Sequence, residues 1–77
     1  MKILVENAYG DGHESTLEYD IPDADVPAPA DEMWDYLRDW TGDGHGQDPD
    51  LGWFYKITIL EAVIPGLVGL SRENCGN

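Results

Sequence analysis

Trp53-Phe54-Tyr55-Lys56-Ile57-Thr58-Ile59-Leu60-Glu61-Ala62 puts Trp53, Tyr55, Ile57 and Ile59 on one side and Lys56 and Thr58 on the other. A period of two carried by aromatic and β-branched residues belongs to a strand with one buried face. Working outward, the same period recurs from Glu14 to Ile21. There Ser15, Leu17, Tyr19 and Ile21 oppose Glu14, Thr16, Glu18 and Asp20. Lys2 to Tyr9 reads as a third strand, with Ile3 and Val5 opposed to Lys2 and Glu6, and Leu4 blurring the pattern. Gly10-Asp11-Gly12-His13 is turn chemistry between two such runs, so the first two strands form a hairpin with an acidic outer face.

Pro22 to Pro29 holds three prolines and two aspartates, a connector that neither joins a ladder nor continues a helix. Asp31 and Glu32 then suit a first helical turn, where carboxylates favour the macrodipole. Met33, Trp34, Leu37 and Trp40 follow at i, i+1, i+4 and i+7, and Gly42 ends the pattern as a C′ residue. The spacing predicts one helix of about three turns. Trp34, Trp40, Trp53 and Tyr55 are then expected to meet between helix and sheet. Gly42 to Gly52 is a loop, Pro65-Gly66 suits the centre of a type II turn, and Leu67 to Ser71 is the expected last strand. The predicted order is β-β-α-β-β: an α+β domain spanning residues 1–77, with a mainly antiparallel four-stranded sheet and one helix on one face.

Sixteen Asp and Glu against four Lys and Arg give a formal net charge of -12 over 77 residues. Hydrophobic content of 42% fits a folded core despite that charge. Affinity for a phosphate backbone comes from basic side chains, so direct binding to nucleic acid is disfavoured, as is binding to anionic membranes. A basic partner, a metal ion or a solubility role remains. Cys75 is the only cysteine, so no intrachain disulfide forms. The apolar run at Met1–Glu6 is too short for a signal peptide and no stretch is long enough to span a membrane, so a cytoplasmic location is expected. There is no nucleophile elbow and no phosphate-binding glycine loop followed by Lys. A non-enzymatic protein without a cofactor is expected.

Two constellations could carry function. Asp31, Asp35 and Asp39 stand at i, i+4 and i+8, stacked on one side of the predicted helix, where like charges destabilise by roughly 0.2–0.5 kcal/mol per pair. Carboxylates about 6 Å apart resemble the charge spacing of a nucleic-acid backbone. Glu14, Glu18 and Asp20 on the hairpin, with Asp23 and Asp25 in the connector, extend this surface toward a basic, nucleic-acid-binding protein, with Tyr36 as an interface anchor. The bland reading is a solvated helix face.

The second constellation is an echo, Gly10-Asp11-Gly12-His13 and Gly42-Asp43-Gly44-His45, whose two turns fall at one end of the sheet together with the tail. His13, His45 and Cys75 with a nearby Asp are a zinc-type donor set, which makes a small metal-binding domain the alternative; scattered ligands and glycine-flanked histidines weigh against it. A calcium loop from Asp43, Gln47, Asp48 and Asp50 has its ligand register broken at His45 and Pro49. A structural subunit of a larger particle, or a homo-oligomer, is a third reading.

Thr41-Gly42-Asp43-Gly44-His45-Gly46, Asp50-Leu51-Gly52-Trp53-Phe54-Tyr55, Ile59-Leu60-Glu61-Ala62 and Leu67-Val68-Gly69-Leu70 resemble small acidic accessory proteins encoded by phages of high-GC, actinobacterial hosts. The resemblance covers roughly the C-terminal half and carries no assigned residues. It implies a compact phage protein that binds and inhibits a host protein in the host cytoplasm, a group that includes anti-CRISPR proteins, some of which imitate DNA.

Overall fold

The computed structural model describes residues 1–29, 31–45 and 51–76. Its elements are β1 (Lys2–Tyr9), β2 (Glu14–Asp20), a 3₁₀ turn (Asp23–Asp25), α1 (Asp31–Arg38), β3 (Trp53–Glu61), a second 3₁₀ turn (Pro65–Leu67) and β4 (Ser71–Gly76). The strands form one antiparallel sheet in the order β2-β1-β3-β4, the α+β arrangement expected from the sequence.

Register follows from the alternation. Ile3 lies opposite Tyr19 and Ile59, and Val5 opposite Leu17 and Ile57, so the apolar sets of three strands share one face. β2 and β3 both run antiparallel to β1 and therefore parallel to each other, with β1 between them. Their connection has to cross the sheet, and α1 lies on that path. It buries Met33, Trp34 and Leu37 against Met1, Ile3, Val5, Ile21, Ile57 and Ile59. Burying each such side chain stabilises by roughly 1.5–3 kcal/mol. The ammonium of Met1 donates to the Ile21 carbonyl at 2.7 Å and to Asp23 at 2.9 Å, fastening the start of β1 to the end of β2.

Three details depart from the sequence reading. The helix has eight residues and stops at Arg38. Asp39, Trp40 and Thr41 then donate their N–H groups to carbonyls three residues back, at 3.2, 3.0 and 3.0 Å, which tightens the end into 3₁₀ geometry and leaves Asp39 just outside α1. Gly42 follows with φ 85°, the left-handed residue expected after a helix end.

The last strand is Ser71–Gly76, not Leu67 to Ser71. A type II turn would need positive φ at Gly66, but the positive φ here is at Gly69, at 90°. Proline-fixed geometry instead starts a 3₁₀ turn, with Leu67 N–H donating to Ile64 O at 3.1 Å. Gly69 N–H then donates to Ile59 O at 2.8 Å, which carries the chain back onto β3.

The aromatic cluster also divides. Trp34 is buried, whereas Trp40 packs from the edge against Tyr19, with ring centroids 5.2 Å apart. Trp53 and Tyr55 stack on each other at 4.7 Å and lie outside the buried core. An eight-residue helix is about 12 Å long, whereas the nine residues of β3 extend over roughly 30 Å. The parity of Trp53 and Tyr55 is right, but the helix does not reach them.

Candidate partner-binding surface

The two Gly-Asp-Gly-His turns meet at the uncovered end of the sheet. Within each, the aspartate closes its own turn: Asp11 Oδ1 accepts the His13 N–H and Asp43 Oδ1 accepts the His45 N–H, both at 3.0 Å. Across the turns the pairing is exchanged. His13 Nε2 lies 2.9 Å from Asp43 Oδ2, and His45 Nε2 lies 2.7 Å from Asp11 Oδ2. The two imidazoles stack between these contacts, 3.9 Å apart and 16° from parallel. Gly12 and Gly44, at φ 93° and 85°, supply the left-handed backbone that each turn needs.

Asp43 is the centre of this clasp. Ser15 Oγ donates to Oδ2 and Tyr9 OH donates to Oδ1 at 3.1 Å. The Ser15 hydroxyl, then His13 and the His45 N–H, hold the Asp43 carboxyl far below the usual carboxylate range. Asp11 is lowered by the His13 N–H and then by His45. Burial, with hydrogen bonding to Tyr55, pushes the Tyr9 phenol well up. Beneath the clasp, buried Asn7 accepts the Gly42 N–H on Oδ1 at 2.9 Å and donates from Nδ2 to Ser15 Oγ at 3.3 Å.

Ser, His and Asp are thus neighbours, but not wired for nucleophilic catalysis. A serine nucleophile passes its proton to an imidazole that the carboxylate orients. Here Ser15 and His13 both address Asp43, and the carboxylate stands between them. The arrangement works as a fastener between loops.

The donor set for a metal is brought together only in part. The histidines meet, but a Cβ added at Gly76 would point at the Trp53 ring, so Cys75 next to it projects from the opposite face of the sheet, where it is exposed. Among the described residues no group of three or more His, Cys, Asp or Glu side chains could hold a metal ion. Gln47, Asp48 and Asp50 of the calcium-loop reading lie outside the described residues.

The acidic residues form two surfaces, not one. Asp31, Asp35 and Asp39 are exposed along α1 and its end. Asp31 is 3.6 Å from Arg72, while Asp35 and Asp39 are in no ion pair among the described residues. Glu14, Glu18 and Asp20 are also exposed, but alternation turns them away from the helix, onto the other side of the sheet. Asp23 is taken by the Met1 ammonium and Asp25 stays exposed. Tyr36 is half-buried against the core rather than displayed.

Beside the helical ridge lies a feature the sequence reading missed. A cleft of about 440 Å³ opens between the C-terminal end of α1 and β3, lined by Asp35, Arg38, Asp39, Thr41, Trp53 and Tyr55. Trp53 reaches over β4 at Gly76, where a Cβ would come within 2.7 Å of the indole Cζ2. The signal available was the glycine itself, at the position paired with Trp53. Also unforeseen is an exposed apolar turn after β3, with Val63 74% exposed and Ile64, Val68 and Leu70 nearly half so.

No family model matches the chain, and neither a curated protein nor a solved structure matches it at a significant level.

Proposed function

We propose that the chain is a small acidic, non-enzymatic protein that binds, and by binding inhibits, a basic nucleic-acid-binding host protein, as phage inhibitors of the DNA-mimic type do, anti-CRISPR proteins among them. The observation that carries this reading is the row of exposed carboxylates on one helix flank, of which Asp35 and Asp39 have no cationic partner among the described residues. Like charges in such a row cost helix stability, and among the described residues no ion pair offsets that cost at Asp35 or Asp39. Asp31 and Asp35, one helical turn apart on α1, stand about 6 Å from each other, a spacing that suits a partner surface built to grip phosphates. The helical side is favoured over Glu14, Glu18 and Asp20 because its cleft is walled by two stacked rings, Trp53 and Tyr55, whereas the pocket beside Glu14 has the single ring of Phe54. Tyr36 contributes a boundary contact at most, being half-buried. Negative potential over the whole surface would steer a basic partner and make association sensitive to salt.

The test is competition. A host protein captured by the chain at low ionic strength should be released by duplex DNA and by high salt. Capture should be lost on Asp31→Lys/Asp35→Lys/Asp39→Lys and kept on Glu14→Lys/Glu18→Lys/Asp20→Lys. Unaltered capture by the helix variant would overturn the reading.

A further inference from the structure

The chain already holds one arginine in a particular way. Arg72 of β4 stands 5.1 Å over the Trp34 ring and 3.6 Å from Asp31, between an indole and the first carboxylate of the ridge. Further along, Asp35 on α1 and Asp39 just past its end flank the cleft whose other wall is the Trp53 and Tyr55 rings. The second position repeats the acid-plus-indole pairing, and the β4 residue opposite its indole is Gly76, which brings no side chain to it. Arg38 shares the lining, is exposed, and makes no ion pair among the described residues.

We propose that this cleft is an arginine pocket, in which a partner's guanidinium packs on the Trp53 and Tyr55 rings and is bonded by Asp35 and Asp39. This rests on the reading of the α1 ridge as the partner surface and adds what the ridge alone cannot give, a preference between cations. Carboxylates in water attract lysine and arginine alike. A guanidinium is planar, weakly hydrated and stacks on aromatic faces, while an ammonium is compact and strongly hydrated. The size of the cleft accommodates the whole side chain with part of its backbone. Trp53 is well placed for this because glycine at position 76 lets the indole lie close against β4. Arg38 is the internal competitor: its charge on the same rim, in no ion pair among the described residues, weakens the pull of the pocket on an incoming cation.

Two synthetic peptides of equal length and charge, one arginine-bearing and one lysine-bearing, are titrated into the full chain at low salt while the Trp53 indole N–H resonance is followed by NMR. The arginine peptide should bind about two- to tenfold more tightly and shift the Trp53 signal. Trp53→Leu should abolish that ratio while leaving lysine-peptide binding in place, and Arg38→Ala, at an exposed position, should tighten both. Equal, salt-sensitive binding of both peptides with an unmoved Trp53 signal overturns the pocket and spares the ridge. Failure of both peptides to bind overturns the ridge reading and the pocket with it. The comparison in the unsubstituted chain decides the matter even if Trp53→Leu does not fold.

Discussion

Replacing Asn7 by alanine is expected to unfasten the loop that borders the proposed partner surface. Asn7 is 2% exposed and lies on the helix-facing side of β1, in line with Ile3 and Val5. Its Oδ1 is the acceptor for the Gly42 N–H at 2.9 Å, and that bond sets where the chain goes after the helix. Without the carboxamide, a part-buried amide loses its partner, at a cost of about 1–3 kcal/mol. The contact from Nδ2 to Ser15 is long, at 3.3 Å, and Ser15 keeps its bond to Asp43, so it adds little. A loss of about 2 kcal/mol corresponds to a fall in Tm of about 8–16 °C for a domain of this size. Circular-dichroism melting measures the global effect. Amide exchange at Gly42 measures the local one and should accelerate more than exchange at Ile57 or Ile59. A Tm within about 2 °C of the parent, with Gly42 exchange unchanged, would refute the role given to Asn7.

Two further outcomes follow from the clasp and the cleft. Asp11 and Asp43 titrate below the ordinary aspartate value of 3.8 in the folded chain, which therefore binds fewer protons than the unfolded chain as pH falls through that value. Their contribution is complete above the ordinary value and is lost on acidification. Asp11→Asn/Asp43→Asn should therefore melt below the parent at neutral pH and converge with it in acid, and a gap independent of pH would refute this. Gly76→Ala places a Cβ within 2.7 Å of the Trp53 ring, so the indole has to move. The expected cost is about 1–3 kcal/mol, together with a changed Trp53 indole resonance and a weaker arginine preference; an unmoved resonance would show that β4 yields instead.

What the sequence made legible is whatever a period of two or a turn motif encodes directly. Ile3, Val5, Leu17, Tyr19, Ile57 and Ile59 lie on one face because alternation leaves no other register that buries them. The β-β-α-β-β order places both Gly-Asp-Gly-His turns at one end of the sheet, and they meet there. The exchange of partners between them was not legible, since it depends on side-chain positions across 30 or more residues. The end of α1 was misjudged because Trp40 fits the helical period at i+7 yet packs on Tyr19 from a 3₁₀ turn. β4 was misplaced because Leu67–Leu70 is more apolar than Ser71–Gly76, whereas an edge strand needs only backbone partners on one side. Tyr36 falls off the main apolar face of α1 and is nonetheless half-buried, because a short helix on a broad sheet buries its flanks as well.

The early stop of the helix accounts for both of the arrangements that matter most. Were α1 to continue past Arg38 in α geometry, the Gly42 N–H would bond the Arg38 carbonyl four residues back. Instead that carbonyl takes the Thr41 N–H at 3.0 Å and the Thr41 hydroxyl at 2.6 Å, and the Gly42 N–H is left for Asn7. The chain then turns at φ 85° and delivers Asp43 and His45 to the β1–β2 turn. The same stop leaves Trp53 and Tyr55 without a helix above them, so the aromatic wall opens toward Asp35 and Asp39 rather than into the core. One unmade helical turn thus creates the clasp that closes the end of the sheet and the cleft that stays open beside it.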